Sequence, residues 1–336
     1  MINLNLKIKN DVIAMKIVET ASALPRKVMS NVDLEQFVDT SDEWISKRTG
    51  IKQRYVALEE SCISLAQAAA QKLVNKTNIS PNEIGLIIVA SMSQEHSSPS
   101  IASQVQAKIG ATKAVCFDIS AACSGFVQAF SLADKLEAYY RNGYAIVIGA
   151  EKMTNLMNWK DRSTCVLFGD AAGAILVQAN GHSAIIQESL ACDGSQGAAI
   201  VAGGTSLARS VSSDSYYQDP SLKMKGRQVY DFATRQVPRQ IEAVLKSANL
   251  TINDIDYFVL HQANARILKV CQRKLKIPEE RLVQNIQNYG NTSAASVALV
   301  LNDLRKSGAL KLDGSQKVLL SAFGGGLTWG TCIVNC

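Results

Sequence analysis

Histidine is scarce in this sequence: His96, His182 and His261 are the only three among 336 residues. None stands at metal-ligand spacing from a cysteine or a carboxylate, so the sequence predicts no metal centre. The eight cysteines include no CxxC pair and lie mostly within apolar runs. In a chain of this length without an export signal, this usage predicts reduced thiols and a cytoplasmic protein.

Long apolar runs are also missing, although 47% of the residues are apolar. No stretch reaches the roughly 18 residues that typically mark a membrane-spanning helix. Residues 1–14 carry charges and have no uninterrupted apolar core, so they are not typical of a signal peptide and are interpreted as an N-terminal extension. The net charge of +6 fits an anionic ligand or partner, and no nucleic-acid-binding motif accompanies it.

What the chain does contain is an apolar, β-prone run that gives way to very small residues and then to a helical pattern. Residues 115–130 read VCFDISAACSGFVQAF. Cys123 has no bulky neighbour and stands at the predicted helix N-terminus, which favours a thiolate. The pattern indicates a nucleophile, and the alternative is a small, buried, unreactive thiol.

Strands alternate with helices along the chain, which predicts an α/β fold with mostly parallel sheets. Three features of the first half recur 168 to 172 residues later, among them the unit around Cys123, which recurs around Asn291. These matches predict an internal duplication. The expected division is an extension at 1–14, a first half at 15–180 and a second half at 181–336.

If the halves pack with pseudo-twofold symmetry, Cys123 and Asn291 occupy equivalent positions and converge on one site. His261 ends a predicted strand and faces the same edge, where ligands bind in such sheets. The three side chains would supply a nucleophile, a proton or hydrogen-bond partner and an orienting amide. A glycine-rich run at 323–330 is either a plain turn or a source of backbone N–H groups for an oxyanion hole.

A second cluster lies near the N-terminus. Ser41 is a good N-cap for a short helix that carries Trp44 and Arg48 on one face. The pair predicts either a surface cation–aromatic contact or part of a ligand site.

Six motifs carry a family resemblance. Four segments resemble, in order, the signatures of β-ketoacyl-acyl carrier protein synthase III, of the thiolase superfamily: DISAACSGF, HQANARI, NYGNTSAAS and AFGGGLTWG. Two further segments resemble the two other blocks of that family: SDEWISKRTGI and DRSTCVLFGD. The resemblance runs from about Met15 to the C-terminus. It implies a thiolase-like, five-layered αβαβα fold of two duplicated halves with pseudo-twofold symmetry, assembled as a homodimer.

The resemblance implies an acyltransferase that starts type II fatty acid synthesis by a decarboxylating Claisen condensation. Cys123 would take the acyl group of an acyl-CoA, and malonyl-acyl carrier protein would supply the attacking carbanion. His261 and Asn291 would hydrogen-bond the malonyl thioester oxygen. The amides of Cys123 and Gly325 would form the oxyanion hole, and no permanently bound cofactor or metal is implied.

The resemblance further implies two binding surfaces and an acyl pocket. The expected coenzyme A contacts are Trp44, Arg48, Arg162, Gly226 and Asn264. The expected carrier-protein contacts are Gln262, Arg266, Lys269, Arg273 and Lys274. Ser98 stands where well-known members carry a bulky phenylalanine that enters the partner subunit's pocket, which predicts a roomier pocket and longer or more branched primers than acetyl.

Other activities remain open at this point. A condensing or acyl-transferring enzyme of secondary metabolism would share the motifs. A Cys-His-Asn hydrolase fits the order and the gap of 138 residues from Cys123 to His261, but the chain lacks the CGSCW sequence of that class. Asn291 disfavours the two-histidine elongating synthases. Thiolases need a second catalytic cysteine, and Cys332 and Cys336 are interpreted as core residues of a final strand.

Overall fold

The computed structural model describes residues 15–179, 184–203 and 221–336. The extension at 1–14, the expected boundary between residues 180 and 181, and His182 lie outside the described residues. The strands are β1 Met15–Ala23, β2 Lys27–Ser30, β3 Gln53–Val56, β4 Ile84–Ala90, β5 Val115–Ile119, β6 Tyr144–Glu151, β7 Ala171–Ala179, β8 Ile185–Cys192, β9 Ile200–Val201, β10 Lys223–Met224, β11 Tyr257–Leu260, β12 Lys317–Gly324 and β13 Thr328–Asn335. The helices are α1 Asn31–Leu34, α2 Asp42–Thr49, α3 Cys62–Thr77, α4 Ile101–Ile109, α5 Gly125–Lys135, α6 Gly226–Ser247, α7 Ala265–Leu275, α8 Ile286–Tyr289 and α9 Ser296–Lys306.

Two mixed sheets repeat one strand order. The first sheet runs β1-β7-β6-β4-β5, and the second runs β8-β13-β12-β11 in the same sense. Three of their seven strand pairings are parallel and four are antiparallel, so the expectation of mostly parallel sheets is wrong. One reason is visible between β12 and β13, because three intervening residues can join only antiparallel neighbours.

Helices separate and cover these sheets in five layers. The helices α3 and α4 pack on the outer face of the first sheet, and α6 and α7 pack on the outer face of the second. Between the sheets lie α5 and α9, whose apolar faces share one core with residues such as Ile88 and Leu320 from the two sheets. The αβαβα arrangement expected from the family resemblance is therefore confirmed.

The duplicated elbows face each other across this central layer, but their register differs from the predicted one. Each elbow is a 3₁₀ turn, Ala122–Ser124 in one case and Ser293–Ala295 in the other. Both turns open with a non-glycine residue at positive φ, +46° at Ala122 and +49° at Ser293. The offset is thus 171 residues, not 168, and the counterpart of Cys123 is Ala294 rather than Asn291.

The segment before the second elbow is also not a strand. Residues Ile286–Tyr289 form the short helix α8, in which Ile286 alone is buried. A strand at this position would have no alternating apolar face to bury, because the next two residues are polar.

Candidate active site

Cys123 lies at the elbow between β5 and α5. The small residues around it are required by packing, since a Cβ on Gly125 would lie only 2.9 Å from Ala90 Cβ. Burial raises the pKa of the Cys123 thiol to about 12, although the Ser293 hydroxyl opposes this shift. The resting thiol is therefore protonated, and burial has a larger effect on it than the helix N-terminus that the sequence indicated.

His261 follows the end of β11 and is buried. Its Nδ1 lies 2.6 Å from Ser296 Oγ, and that oxygen also accepts the Gln262 N–H at 3.4 Å. We assign the Ser296 proton to Nδ1, which places the imidazole proton on Nε2. Burial lowers the pKa of His261 to about 3, so the ring is a neutral hydrogen-bond donor.

Asn291 is fixed by its own backbone as well as by its side chain. Its N–H donates to the Leu167 carbonyl at 2.8 Å, and its carbonyl accepts the Gly169 N–H at 3.1 Å. Its Oδ1 accepts the Ser293 N–H at 2.9 Å. Because the amide oxygen is occupied, the NH₂ group is the part of this side chain left for a ligand.

These three side chains line one cavity of about 420 Å³, so the structure brings Cys123, His261 and Asn291 together as predicted. Gly324 and Gly325 line the same cavity. The closest approach belongs to Gly324, where a Cβ would lie 2.6 Å from the Cys123 backbone nitrogen. Sequence reasoning named Gly325 and missed Gly324, although the run of three glycines was the available signal.

The predicted coenzyme A contacts lie around the opening of this cavity. Trp44 is flanked by the guanidinium groups of Arg48 and Arg162, at 4.8 and 5.2 Å from its ring centroid. Gly226 and Asn264 line the cavity with these three residues. The cation–aromatic contact predicted for the Trp44 cluster is present, and the cluster lines the cavity; that it binds a ligand stays a prediction.

Apolar residues of the cavity lining were not predicted. Among them are Met92, Phe168, Ile200 and Leu222. Ser98 is exposed and is not among the cavity residues of its own chain. Its expected contribution to the cavity of a partner subunit stays a prediction.

A basic groove runs from the cavity opening along α7. Its cationic side chains are Arg266, Lys269, Arg273 and Lys276. Tyr230 and Arg266 line both the groove and the cavity, so the two are continuous. Lys274 instead donates to the Thr234 carbonyl at 3.0 Å on α6, and Lys276 was missed by the sequence analysis.

The expectation that Gln262 contacts a carrier protein is wrong. The side chain is 1% exposed. Its Nε2 donates to the Leu260 and Val283 carbonyls at 2.7 and 3.3 Å, and its Oε1 accepts the Asn285 N–H at 3.1 Å. This amide satisfies backbone groups beside β11, the edge strand of the second sheet.

A buried carboxyl beneath the elbow was also missed. Glu151 ends β6 and is 0% exposed. Its Oε2 accepts hydrogen bonds from the hydroxyls of Ser91 and Ser93 and from the Met92 N–H, and its Oε1 accepts the Ala294 N–H at 3.3 Å. Burial raises the pKa of this carboxyl to about 7, against the lowering effect of these hydrogen bonds.

The described residues show neither a metal-binding cluster nor a membrane-spanning helix. Within 15–179, 184–203 and 221–336, no group of three or more His, Cys, Asp or Glu side chains is arranged to hold a metal ion. No helix in these ranges combines the length and apolar character needed to cross a membrane.

Comparison with known proteins identifies what this chain is similar to. A model described as 3-oxoacyl-[acyl-carrier-protein (ACP)] synthase III matches residues 117–194, and the model of that enzyme's C-terminal part matches residues 245–336. A β-ketoacyl-[acyl-carrier-protein] synthase III of Streptococcus uberis is 49% identical over 322 residues, which cover 95% of this chain and 98% of that protein.

Two solved structures extend the comparison. The 3-oxoacyl-[acyl-carrier-protein] synthase III of Aquifex aeolicus superposes with a TM-score of 0.88 at 39% identity, covering 96% of this chain and 100% of that one. The priming β-ketosynthase of the R1128 polyketide pathway superposes with a TM-score of 0.87 at 32% identity, covering 96% of each chain.

Proposed function

This chain belongs to the 3-oxoacyl-[acyl-carrier-protein] synthase III family, and we propose that it is the acyltransferase that starts type II fatty acid synthesis. The reaction is a decarboxylating Claisen condensation of an acyl-CoA primer with malonyl-acyl carrier protein. The observation that carries the assignment of residues is the arrangement of a buried thiol and two neutral hydrogen-bond donors on one cavity.

In the first half-reaction, Cys123 Sγ attacks the thioester carbonyl of the acyl-CoA. Negative charge then develops on the carbonyl oxygen, and the amides of Cys123 and Gly325 are the donors that we propose for it. The close packing of Gly324 on the Cys123 nitrogen supports this role, because it holds the two backbone segments together. Coenzyme A leaves as the thiol, and the acyl group remains on Cys123.

In the second half-reaction, the malonyl group loses carbon dioxide and its carbanion attacks the acyl-Cys123 carbonyl. His261 Nε2–H and the Asn291 NH₂ group stabilise the enolate oxygen. Both donors are neutral and are oriented by Ser296 and Ser293 before substrate arrives. A preorganised donor of this kind is worth about 3–4 kcal/mol in the transition state.

The substrates reach this site from the opening lined by Trp44, Arg48 and Arg162. We propose that the adenine stacks at Trp44 and Arg162 and that Arg48 meets a phosphate, with Gly226 and Asn264 beside them. The acidic carrier protein docks on the basic groove of Arg266, Lys269, Arg273 and Lys276. Such a surface accelerates encounter and is weakened by salt. Lys274 lies outside the groove, with its Nζ on the Thr234 carbonyl.

Assembly and environment follow the family pattern. We propose a homodimer formed at β5, an edge strand of the first sheet that pairs only with β4 among the described strands and leaves Val115 41% exposed. Across such an interface, Ser98 would reach the partner's acyl pocket.

We further propose that the chain divides into halves at 15–180 and 181–336 and that no cofactor is permanently bound. We also propose that the enzyme is cytoplasmic, where its eight free thiols stay reduced.

The test is acyl-CoA-dependent release of labelled carbon dioxide from malonyl-acyl carrier protein over a panel of primers. We expect release to require a primer and Cys123, and we expect Cys123→Ser to form no acyl adduct. Hydrolysis of the acyl-CoA without condensation would contradict the proposal. An acyl adduct that persists on another residue would overturn the choice of nucleophile.

The same panel decides between this role and secondary metabolism. The similarity to a polyketide priming ketosynthase favours that second candidate, but its 32% identity is lower than the 49% found with the Streptococcus uberis enzyme. Turnover of short acyl-CoA primers with fatty-acid carrier protein supports the first role. Turnover restricted to unusual primers or another carrier supports the second. Activity with acetyl-CoA alone would refute the roomier pocket inferred from Ser98.

A further inference from the structure

One buried cation takes no part in the mechanism above. Arg54 lies in β3, and only 1% of its surface is exposed. Its guanidinium belongs to none of the ion pairs between described residues. Burial lowers the pKa of this side chain to about 10, so it stays charged at neutral pH. A buried charge without a carboxylate partner is costly to keep, which points to a use for its hydrogen bonds.

The guanidinium is hydrogen-bonded to the segment that holds Asn291. Arg54 Nη2 donates to the Val166 carbonyl at 2.8 Å, and Nη1 donates to Asn31 Oδ1 at 2.8 Å. The next residue after Val166 is Leu167, whose carbonyl accepts the Asn291 N–H at 2.8 Å. One arm of the guanidinium therefore ends a single residue away from the backbone partner of the catalytic amide.

The aliphatic stem of Arg54 packs against the same backbone. A Cβ on Gly169 would lie 2.9 Å from Arg54 Cβ, and a Cβ on Gly290 would lie 3.3 Å from it. Gly169 donates its N–H to the Asn291 carbonyl, and Gly290 immediately precedes Asn291 in the chain. Arg54 thus contacts both backbone segments that fix Asn291. Because protein interiors are close-packed, a change of shape at Arg54 shifts these segments.

Asn31 connects the guanidinium to the opening of the cavity. This residue is also 1% exposed, and its Nδ2 donates to Asp42 Oδ1 and to the Ile51 carbonyl, both at 2.7 Å. Asp42 lies in the first turn of α2, the helix that carries Trp44 and Arg48. The two ends of the Asn31 amide therefore have separate tasks, since its oxygen serves the guanidinium and its nitrogen serves α2.

We propose that Arg54 is a positioning residue for decarboxylation, because its guanidinium and stem hold the backbone that directs the Asn291 NH₂ group to the enolate oxygen. The inference rests on the proposed function, whose second half-reaction it deepens. Arg54 is not among the described residues that line the cavity, so it acts through Asn291 rather than on the substrate. Displacement of a catalytic group by about 1 Å can slow a reaction by about 100-fold.

The experiment compares the two half-reactions in Arg54→Lys. Lysine keeps the charge and most of the stem, but its ammonium cannot reproduce the planar fork that spans two acceptors. Decarboxylation of malonyl-acyl carrier protein by enzyme already acylated on Cys123 should fall by about 30- to 100-fold in kcat, with the KM near the wild-type value. Acyl loading, in which Asn291 has no task, should change by less than about threefold.

Arg281→Lys is the matched control for this substitution. Arg281 Nη1 also donates to two backbone carbonyls, those of Asn253 and Ile255, at 2.9 and 3.1 Å. Arg281 is not among the described residues of the cavity lining. Both half-reactions should therefore keep their wild-type rates in this variant.

A double substitution separates positioning from a general structural role. In Asn291→Ala the amide is absent, so Arg54 has nothing left to direct. Adding Arg54→Lys to Asn291→Ala should therefore slow decarboxylation no further, which is the non-additivity expected of residues that act as a unit. Losses that multiply would show that Arg54 acts by another route, and they would overturn the proposal.

Two substitutions of Asn31 test the same hydrogen bond with Arg54 in place. Both remove the donor to Asp42, but Asn31→Asp keeps an oxygen for the guanidinium, whereas Asn31→Ala leaves Nη1 with the Met29 carbonyl at 3.5 Å. Decarboxylation should fall by about tenfold in Asn31→Ala and stay within about twofold of wild type in Asn31→Asp. The KM for acyl-CoA should rise in both, because α2 loses the same bond. Equal decarboxylation rates in the two variants would contradict the proposal.

The possible failures are distinguishable. If the wild type forms no adduct on Cys123, the proposed function fails. If Asn291→Ala decarboxylates at the wild-type rate, the assigned role of Asn291 fails and this inference falls with it. If Asn291→Ala is slow but Arg54→Lys decarboxylates within about threefold of wild type, or slows loading and decarboxylation equally, only the inference about Arg54 fails. Should Arg54→Lys fail to fold, the two Asn31 variants carry the same test.

Discussion

Removing the Ser296 hydroxyl tests how the histidine of this site is held. Ser296 Oγ is the partner of His261 Nδ1 in the described structure, at 2.6 Å, and it fixes the proton on Nε2. In Ser296→Ala the buried Nδ1 loses this partner, and the alternative tautomer would present an acceptor to the malonyl oxygen. A buried polar atom left without a partner costs about 1–3 kcal/mol.

If that energy is expressed in the transition state, decarboxylation slows by roughly 5- to 150-fold, at about 1.4 kcal/mol for each factor of ten. The assay is carbon dioxide release from malonyl-acyl carrier protein by enzyme already acylated on Cys123. Acyl loading should change little, because His261 does not act in that step. The control Ser131→Ala removes a buried hydroxyl from α5 and should leave decarboxylation near the wild-type rate.

Two results would refute this reasoning. Unchanged decarboxylation in Ser296→Ala would mean that the Nδ1 contact does not orient the ring. Equal slowing of loading and decarboxylation would mean that the substitution disturbs the whole cavity rather than one tautomer.

The remaining predictions concern the glycine loop, the basic groove and pH. Gly324→Ala should nearly abolish acyl loading, because its Cβ would lie 2.6 Å from the Cys123 nitrogen; adduct formation at the wild-type rate would contradict this packing. Arg273→Glu should raise the KM for malonyl-acyl carrier protein by about tenfold with little effect on kcat, and it should make that KM less dependent on salt. The control is Lys274→Glu, whose side chain turns away from the groove and which should raise the KM less. Equal effects of the two substitutions would argue against docking in the groove. His261 has a pKa of about 3 in the fold and about 6.5 when unfolded, so the unfolded state binds the extra proton and stability falls with decreasing pH between these values, by about 1.4 kcal/mol per unit. Denaturant unfolding of His261→Gln should lack this component relative to wild type, and parallel pH curves for the two proteins would disprove it.

Local patterns were enough to predict many elements. Ser41 caps α2, the short helix that the sequence predicted with Trp44 and Arg48 on one face. The placement of Cys123 and His261 was predictable as well, because each follows a recognisable strand. Asn291 lines the same cavity, but it lies between α8 and the second elbow and is not the counterpart of Cys123.

Long-range packing was not readable in the same way. Glu151 stands at the end of a strand, where the sequence does not distinguish a buried carboxyl from an exposed one, and one of its hydrogen-bond donors is Ala294, 143 residues away in the chain. Gln262 was expected at the surface from the family resemblance, but two of its three hydrogen-bond partners, Val283 and Asn285, lie more than 20 residues later in the chain. The predicted offset between the two elbows was wrong by three residues because both elbows are runs of small residues. The residue types in such a run do not show which residue of each elbow adopts the positive φ.

The bond between Glu151 and the Ala294 amide joins the C-terminal end of a strand in the first sheet to the elbow that precedes α9. Catalytic geometry in this protein is thus a property of how two sheets dock through their shared helical layer. Each sheet can keep its own hydrogen bonds while the contacts between the two halves, such as the bond between Glu151 and the Ala294 amide, are lost. In a denaturant titration, activity should therefore disappear ahead of the far-ultraviolet signal, and the gap between the two curves measures the free energy that holds the layers in register.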